Sequence, residues 1–139
     1  MRAAIVFFSG SSRERILALA KSLSQGIGRQ GHHVDIIDGD RDVNAKLTMY
    51  QYLAIGCEPL PGFGGKLPDK VSQFLGSSGM VSGKRSFAFV TKAALGSGKA
   101  LARLMKSMEK EGMLIKNSSI LGSPQEAEEV GSRLHVQAR

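Results

Sequence analysis

The clearest chemical signal in the sequence is a run of small hydroxyl residues between an apolar stretch and a helical pattern. Residues 7–14 read FFSGSSRE, so two phenylalanines lead into serine and glycine before the charged pair Arg13 and Glu14. Backbone N–H groups at a helix start carry partial positive charge, and together with serine hydroxyls they favour an anion such as a phosphate group. Arg13 can add a charge-assisted hydrogen bond to that anion. The segment therefore predicts a phosphate-binding loop.

Glu14 is the residue of this segment that opposes a bound anion. If its carboxylate points into the loop, it repels a phosphate group by about 1–4 kcal/mol at an intermediate effective dielectric constant. If it points outward, it is a favourable acidic residue in the first turn of the helix. The sequence leaves both orientations open.

Few other residues have the chemistry of a catalytic or metal site. Cys57 is the single cysteine, which excludes an intramolecular disulfide and leads us to expect a cytoplasmic protein. We interpret it as a small buried residue, with a reactive thiol as the alternative. His32 and His33 are adjacent, and neighbours in an extended chain point to opposite faces. We therefore predict neither a metal site nor a catalytic nucleophile.

Two glycine-rich segments resemble nucleotide-binding motifs without meeting their requirements. GIGRQG at residues 26–31 matches G-x-G-x-x-G but ends a helical pattern, whereas the dinucleotide fingerprint follows a strand and opens a helix. We expect these glycines to cap the helix and turn the chain. LGSGKA at residues 95–100 lacks both the first glycine and the Ser/Thr of a Walker loop. It is interpreted as a loop and a helix start.

Hydrophobic spacing predicts the elements that position these residues. Five short runs are apolar at consecutive positions, which is typical of strands covered on both faces. They are Ala3–Phe8, Val34–Ile37, Tyr52–Gly56, Phe87–Thr91 and a run that opens with Met113–Ile115. Helical patterns separate and follow them: residues 14–29, a short segment after Pro68, residues 97–111 and a last helix whose capping box begins at Ser123.

The alternation of strands and helices predicts an α/β fold with a three-layer, doubly wound, five-stranded parallel sheet. A chain of 139 residues suggests one domain, residues 1–139. No stretch approaches 18 uninterrupted apolar residues, so no membrane span is predicted. Ligands of such sheets bind at the carboxyl ends of the strands. The loops at residues 9–13, 57–66 and 92–97 are therefore the candidate site.

The formal net charge of +7 is concentrated in the second half of the chain. Residues 1–70 hold nine Lys/Arg and seven Asp/Glu, a net charge of +2, and residues 71–139 hold ten and five, a net charge of +5. A basic surface attracts acidic proteins, nucleic acid or anionic small molecules. No basic run and no aromatic-studded basic strand occurs, which disfavours nucleic acid. Solvated helix faces are the commoner explanation of such a charge.

With these elements placed, the chain resembles the flavodoxin family from Ala3 to Leu134. IVFFSGSSRERILALAKSL is similar to the family's first strand, phosphate loop and first helix. LTMYQYLAIGCEPLPGFGGKLPDKVSQFL resembles its third strand, variable loop and short helix, and GKRSFAFVTKAALGSGKALARLMKSMEKEGM its fourth strand, second flavin loop and next helix. The resemblance implies the strand order 2-1-3-4-5. It also implies FMN as cofactor, with one- or two-electron transfer through the flavin ring.

The resemblance also implies which residues hold FMN. They lie in the phosphate loop and in the two loops beside the flavin ring: Ser9, Gly10, Ser11, Ser12, Arg13, Glu14, Cys57, Glu58, Pro59, Leu60, Phe63, Thr91, Lys92, Ala93 and Gly96. The chain departs from the family pattern S/T-x-T-G-x-T at three positions, with Ser12 for glycine, Arg13 for the common Asn and Glu14 for the last Thr. Phe63 is the one aromatic residue of the middle loop, and residues 91–98 contain none.

Two functions are therefore expected, and a basic nucleic-acid binder on the same scaffold is a third hypothesis. The first is an FMN-binding redox protein, either an electron carrier or a small flavin-dependent reductase, whose basic charge points to an acidic redox partner. The alternative is a flavin-free flavodoxin-like domain that acts as a protein-binding or regulatory module. The sequence predicts no oligomeric state.

Overall fold

The computed structural model describes residues 1–60 and 64–137. Within these residues the chain forms nine elements, in which strands and helices alternate except that the second strand is followed directly by the third. They are β1 (Arg2–Phe8), α1 (Arg13–Gly28), β2 (His33–Asp38), β3 (Tyr52–Cys57), α2 (Lys70–Gly76), β4 (Arg85–Thr91), α3 (Ser97–Lys110), β5 (Leu114–Leu121) and α4 (Pro124–Arg133). Each predicted strand and helix is confirmed, with ends that shift by a few residues.

The five strands form one parallel sheet in the order β2-β1-β3-β4-β5. Apart from Arg2 and Arg85 at their first positions, the central strands β1, β3 and β4 are buried throughout, because helices cover both faces of the sheet. This explains why their sequences are apolar at consecutive positions. The edge strands β2 and β5 are more exposed and more polar. The predicted three-layer α/β fold is confirmed.

The sheet divides the hydrophobic core into two clusters, because successive residues of a strand point to opposite faces. In β1, Ala4, Val6 and Phe8 pack toward α2 and α3. Ala3, Ile5 and Phe7 pack toward α1 and α4. One face therefore carries the helix that starts at the predicted phosphate loop, and the other carries the helix that starts at the second flavin loop.

The glycines at residues 26–31 have two different roles. Gly31 has a φ of 93° and turns the chain into β2, as predicted. Gly26 lies inside α1 and not in a turn, so the expectation that it caps the helix is wrong. A Cβ on Gly26 would lie 2.2 Å from the Glu128 carbonyl oxygen of α4. Gly26 is therefore required by the close crossing of α1 and α4.

The last helix begins as the capping box predicts. The Ser123 side chain accepts a hydrogen bond from the Glu126 amide at 3.2 Å, and Pro124 occupies the first helical position. Among the helices of the described residues, none is both long enough and apolar enough to cross a membrane.

Candidate functional site

The candidate site lies where β1, β3 and β4 end, at the point where the chain order of the sheet reverses. From β1 the chain leads to β2 on one side, and β3 then pairs on the other side of β1. A crevice outside the carboxyl ends of the strands forms at such a reversal. Residues 9–12, which we call the anion loop, connect β1 to α1 at this point.

The anion loop holds a carboxylate of the protein itself. The Glu58 Oε1 atom accepts hydrogen bonds from the backbone N–H groups of Gly10, at 2.8 Å, and of Ser12, at 2.6 Å. Glu58 is only 5% exposed. Two amides that converge on one anionic oxygen are the donor arrangement expected of a phosphate-binding loop. The two loop amides therefore converge on a carboxylate of the protein itself, and the binding of an external phosphate group stays a prediction.

The register of the sheet brings Glu58 to this position. Phe8 pairs with Cys57, and the Glu58 amide donates to the Phe8 carbonyl at 2.9 Å, so residue 58 leaves the sheet beside the anion loop. The anion loop and the segment that follows β3 then approach each other closely. A Cβ on Gly10 would lie 2.7 Å from the Glu58 carbonyl oxygen and 2.9 Å from that of Pro59. Glycine at position 10 is therefore required by the packing of the two loops.

Asp40 binds the start of the anion loop. Its Oδ2 atom accepts hydrogen bonds from the amide and the hydroxyl of Ser9, and Lys70 Nζ lies 2.6 Å from Oδ1. Burial acts to raise the pKa of Asp40, but the hydrogen bonds from Lys70 and Ser9 outweigh it and lower the pKa below its usual value. Asp40 was not among the residues predicted from the sequence, although it belongs to the acidic segment DGDRD, which begins at the last residue of β2.

Neither of the two charged residues after the loop binds its amides. Arg13 donates to Asp38 Oδ2 from Nε at 3.1 Å and from a terminal nitrogen at 2.8 Å, and its guanidinium lies 5.7 Å from the centre of the Phe7 ring. Glu14 is exposed, and its carboxylate makes no hydrogen bond or ion pair within the described residues. The carboxylate that competes with an anion is therefore that of Glu58, and Glu14 is only a first-turn residue of α1.

The loop at residues 57–66 starts in the core and closes on itself. Cys57 is fully buried between the sheet and α2, and burial raises the pKa of its thiol to about 12. It is a buried small residue, as interpreted from the sequence. Pro59 is buried and Leu60 half-buried, and the Leu60 amide donates to the Lys66 carbonyl at 3.0 Å. Phe63 lies outside the described residues, so its assignment to the flavin ring stays a prediction.

The loop at residues 92–97 contacts the end of the preceding loop. Gly96 has a φ of 84°, and a Cβ on Gly65 would lie 2.6 Å from the Gly96 carbonyl oxygen. Thr91 is buried at the end of β4, whereas Lys92 and Ala93 are exposed. The side chain of Arg15 donates to the Lys92 carbonyl and so connects α1 to this loop.

Leu95 is a further candidate that sequence analysis missed. It is 88% exposed at the tip of the loop that follows β4. The sequence signal for it is its position in the predicted second flavin loop. The prediction for this loop considered aromatic side chains and not aliphatic ones.

Solved structures similar to this fold include several flavodoxins. Flavodoxin 1 from Bacillus cereus, in its oxidised form, matches with a TM-score of 0.74 and 18% identity over 95% of both chains. The chain has a flavodoxin-like fold. A flavodoxin from the domain Archaea matches with a TM-score of 0.70 and 18% identity over 95% of this chain and 94% of the other. The two-electron reduced flavodoxin of Megasphaera elsdenii matches with a TM-score of 0.66 and 18% identity over 92% and 96%. No protein-family model and no curated protein sequence matches this flavodoxin-like chain.

The donors of the anion loop fit the phosphate group of FMN, the cofactor that this fold family implies. Two backbone N–H groups already converge on an anionic oxygen, and the hydroxyl-bearing residues Ser11 and Ser12 are exposed beside them. Glu58 occupies the acceptor position of both amides. A phosphate group can therefore bind to these two amides only when Glu58 is elsewhere.

Proposed function

We propose that this protein is an FMN-binding electron-transfer protein whose anion loop holds the phosphate group. One observation carries the proposal: in a flavodoxin-like fold, the Gly10 and Ser12 amides at the end of β1 converge on a single anionic oxygen. When bound, FMN supplies one- or two-electron transfer through its flavin ring. An electron carrier and a small flavin-dependent reductase would use the same site. The free, buried Cys57 is consistent with a cytoplasmic protein.

The residues of the chain would bind and cover the cofactor and would form no covalent bond with it. The Gly10 and Ser12 amides would bind the phosphate group, with the hydroxyls of Ser11 and Ser12 as further donors. The exposed side chain of Leu95 would cover part of the flavin ring and exclude water from it.

A titration with two flavins tests this proposal. We expect the protein to quench the fluorescence of added FMN, and to bind riboflavin, which lacks the phosphate group, at least about tenfold more weakly, as loss of a charged hydrogen-bonded group predicts. Leu95→Ala is the matched control, because it should weaken the binding of both flavins by the same factor. Equal affinity for FMN and riboflavin would show that the anion loop does not bind the phosphate group. Absence of binding would refute the proposal.

The position of Glu58 favours a second candidate, a flavin-free protein-binding or regulatory module. In that case the Glu58 carboxylate is the permanent partner of the Gly10 and Ser12 amides and stabilises the fold. Failure of FMN to bind both to the wild-type protein and to Glu58→Ala, with both proteins folded, would support this candidate.

We further propose that the redox partner is an acidic protein. It would dock on a stripe of cations on α3 of this chain. The stripe consists of Lys99, Arg103, Lys106 and Lys110. Their spacings of four, three and four residues place them within an arc of about 60° along about 16 Å of helix. All four are exposed, and within the described residues none has a carboxylate within 4.0 Å.

A groove beside the stripe gives this surface an apolar part. It has a volume of about 390 Å³ and lies between α2 and α3, with Leu67 and Val71 among its apolar residues and Lys66 and Arg103 among its cations. The stripe begins at the third residue of α3, next to the loop at residues 92–97. An acidic partner bound there would therefore lie close to the proposed flavin site. Exposed Phe and Tyr side chains, on which the bases of single-stranded nucleic acid stack, are absent from the described residues.

Binding of a fluorescent acidic peptide, with alternating glutamate and leucine, tests this surface. We expect binding to weaken with added salt and to weaken about tenfold in Lys99→Glu/Arg103→Glu. Lys21→Glu/Lys116→Glu is the control, since both lysines are exposed on other elements and the change in net charge is equal. Equal loss in both double variants would contradict a specific docking surface. Tighter binding of a mixed-sequence oligonucleotide than of the peptide would favour nucleic acid instead.

A further inference from the structure

We infer that Glu58 is an internal competitor for the anion loop, so that its side chain determines whether an external phosphate group can bind. The inference rests on the proposed function, because the phosphate of FMN is the anion expected to replace the carboxylate. It adds a residue that sets the affinity and the specificity of the site.

The contacts of Glu58 show direct competition for the same donors. One oxygen, Oε1, accepts from both Gly10 and Ser12, and the residue is 5% exposed. Each backbone amide has a single proton to donate. A phosphate oxygen at this position would also lie against a buried like charge, which a medium of low dielectric constant screens poorly. The two anions therefore exclude each other.

The charged and polar groups that flank the loop are already bound to carboxylates, so the exposed hydroxyls of Ser11 and Ser12 are the further donors beside the two amides. The Ser9 amide and hydroxyl are bound to Asp40, and the Arg13 guanidinium is bound to Asp38. The Lys70 ammonium lies 2.6 Å from Asp40. The Gly10 and Ser12 amides are thus the donors for which an external anion must compete with Glu58.

The exclusion has a quantitative consequence. The apparent affinity of the loop for phosphate equals its intrinsic affinity multiplied by the fraction of molecules in which Glu58 has left the two amides. Hydrogen bonds from amides to a carboxylate are charge-assisted and these two are partly buried, so this fraction is small. Removal of the carboxylate should raise the apparent affinity by about tenfold or more.

Titration with inorganic phosphate, followed by the backbone amide signals of Gly10 and Ser12 in NMR spectra, tests the inference. The titration is carried out at constant ionic strength with chloride as the balancing anion. We expect Glu58→Ala to bind phosphate at least about tenfold more tightly than the wild-type protein, with the largest shifts at these two amides. Glu14→Ala is the matched control, because it removes the same charge from the exposed first turn of α1. Its affinity should change by less than about threefold, as expected of a solvent-screened charge.

A second variant keeps the test possible if Glu58→Ala does not fold. Glu58→Gln keeps the size of the side chain and a carbonyl oxygen for the two amides but removes the charge. Its phosphate affinity should fall between those of the wild-type protein and Glu58→Ala. Inorganic phosphate, added at constant ionic strength, should raise the Tm of Glu58→Ala more than that of the wild-type protein, because ligand binding stabilises the folded state.

The outcomes separate this inference from the proposed function. Equal phosphate affinity in the wild-type protein, Glu58→Gln and Glu58→Ala, or an equal gain in Glu14→Ala, would overturn the inference. Phosphate binding by Glu58→Ala without FMN binding would support the inference and refute the proposed function. FMN binding of equal strength to the wild-type protein and Glu58→Ala would support the function and overturn the inference.

Discussion

At the scale of single residues, the site is defined by how carboxylates satisfy the donors of the anion loop. Glu58 accepts from Gly10 and Ser12, and Asp40 accepts from Ser9. Hydrogen bonds to a charged acceptor are stronger than those between neutral groups, so each carboxylate stabilises the loop in the absence of a ligand. The loop therefore has a stable conformation before any flavin binds.

The Asp40 carboxylate gives this stabilisation a dependence on pH. The pKa of Asp40 in the folded protein is lowered below the value of 3.8 expected without interactions, because the hydrogen bonds from Lys70 and Ser9 outweigh the effect of burial. Its contribution to stability is therefore present above about pH 4 and is lost as the pH falls through the lowered pKa. We expect Asp40→Asn to reduce the free energy of unfolding by on the order of 1 kcal/mol at pH 7 and by less at pH 3.

Urea denaturation at the two pH values measures this difference. Asp42→Asn is the control, since Asp42 is exposed and its side chain makes no hydrogen bond or ion pair within the described residues. A loss of the same size at pH 3 as at pH 7 would contradict the assigned role of Asp40.

At the scale of elements, helix packing on one face of the sheet depends on two glycines. Gly26 of α1 and Gly131 of α4 meet where the helices cross, and a Cβ on Gly131 would lie 2.5 Å from the Leu23 carbonyl oxygen. The crossing fixes α1 against the sheet. The crossing lies at the C-terminal end of α1, whereas the anion loop precedes the N-terminal end of the same helix.

A pair of substitutions in α1 separates helix packing from helix propensity. Gly26→Ala should reduce the free energy of unfolding by about 1–3 kcal/mol, because its Cβ would clash with the backbone of α4. Gly28→Ala should raise it by up to about 1 kcal/mol, because no atom lies within 4 Å of the added Cβ and alanine favours a helix. Chemical denaturation of both variants tests the difference, and equal effects would show that the crossing is not close in solution.

At the scale of the whole molecule, the net charge of +7 is unevenly distributed. The stripe on α3 places like charges three and four residues apart, which costs a few tenths of a kcal/mol for each pair. The first turn of α3 also has no acidic residue. This helix is thus not optimised for stability, which agrees with a binding role for the proposed docking surface.

Lys99→Glu should therefore have opposite effects on stability and on partner binding. The substitution replaces a repulsive pair with Arg103 by an attractive one, and it puts an acidic residue near the helix N-terminus. We expect the free energy of unfolding to rise by about 0.5–1 kcal/mol, while binding of the acidic peptide weakens. Lys21→Glu, measured in parallel, should change neither quantity appreciably. Unchanged or lower stability of Lys99→Glu would contradict the argument.

The sequence by itself determined the elements, the parallel sheet and the location of the anion loop. These follow from local patterns: consecutive apolar residues in the central strands, the apolar spacing of the helices, the capping box at Ser123 and the small residues after Phe8. Each pattern acts within a few neighbouring residues, so it can be read without knowledge of the rest of the chain.

Only the tertiary structure decided which carboxylate binds the anion loop. Sequence analysis weighed Glu14 because it is adjacent to the loop, whereas the pairing of β1 with β3 places Glu58, 46 residues from Ser12, on the amides. In the same way, only the structure showed that Gly26 lies where α1 and α4 cross and that the Asp40 carboxylate accepts a hydrogen bond from Ser9. Contacts between distant segments depend on strand register and helix packing, which no local pattern encodes.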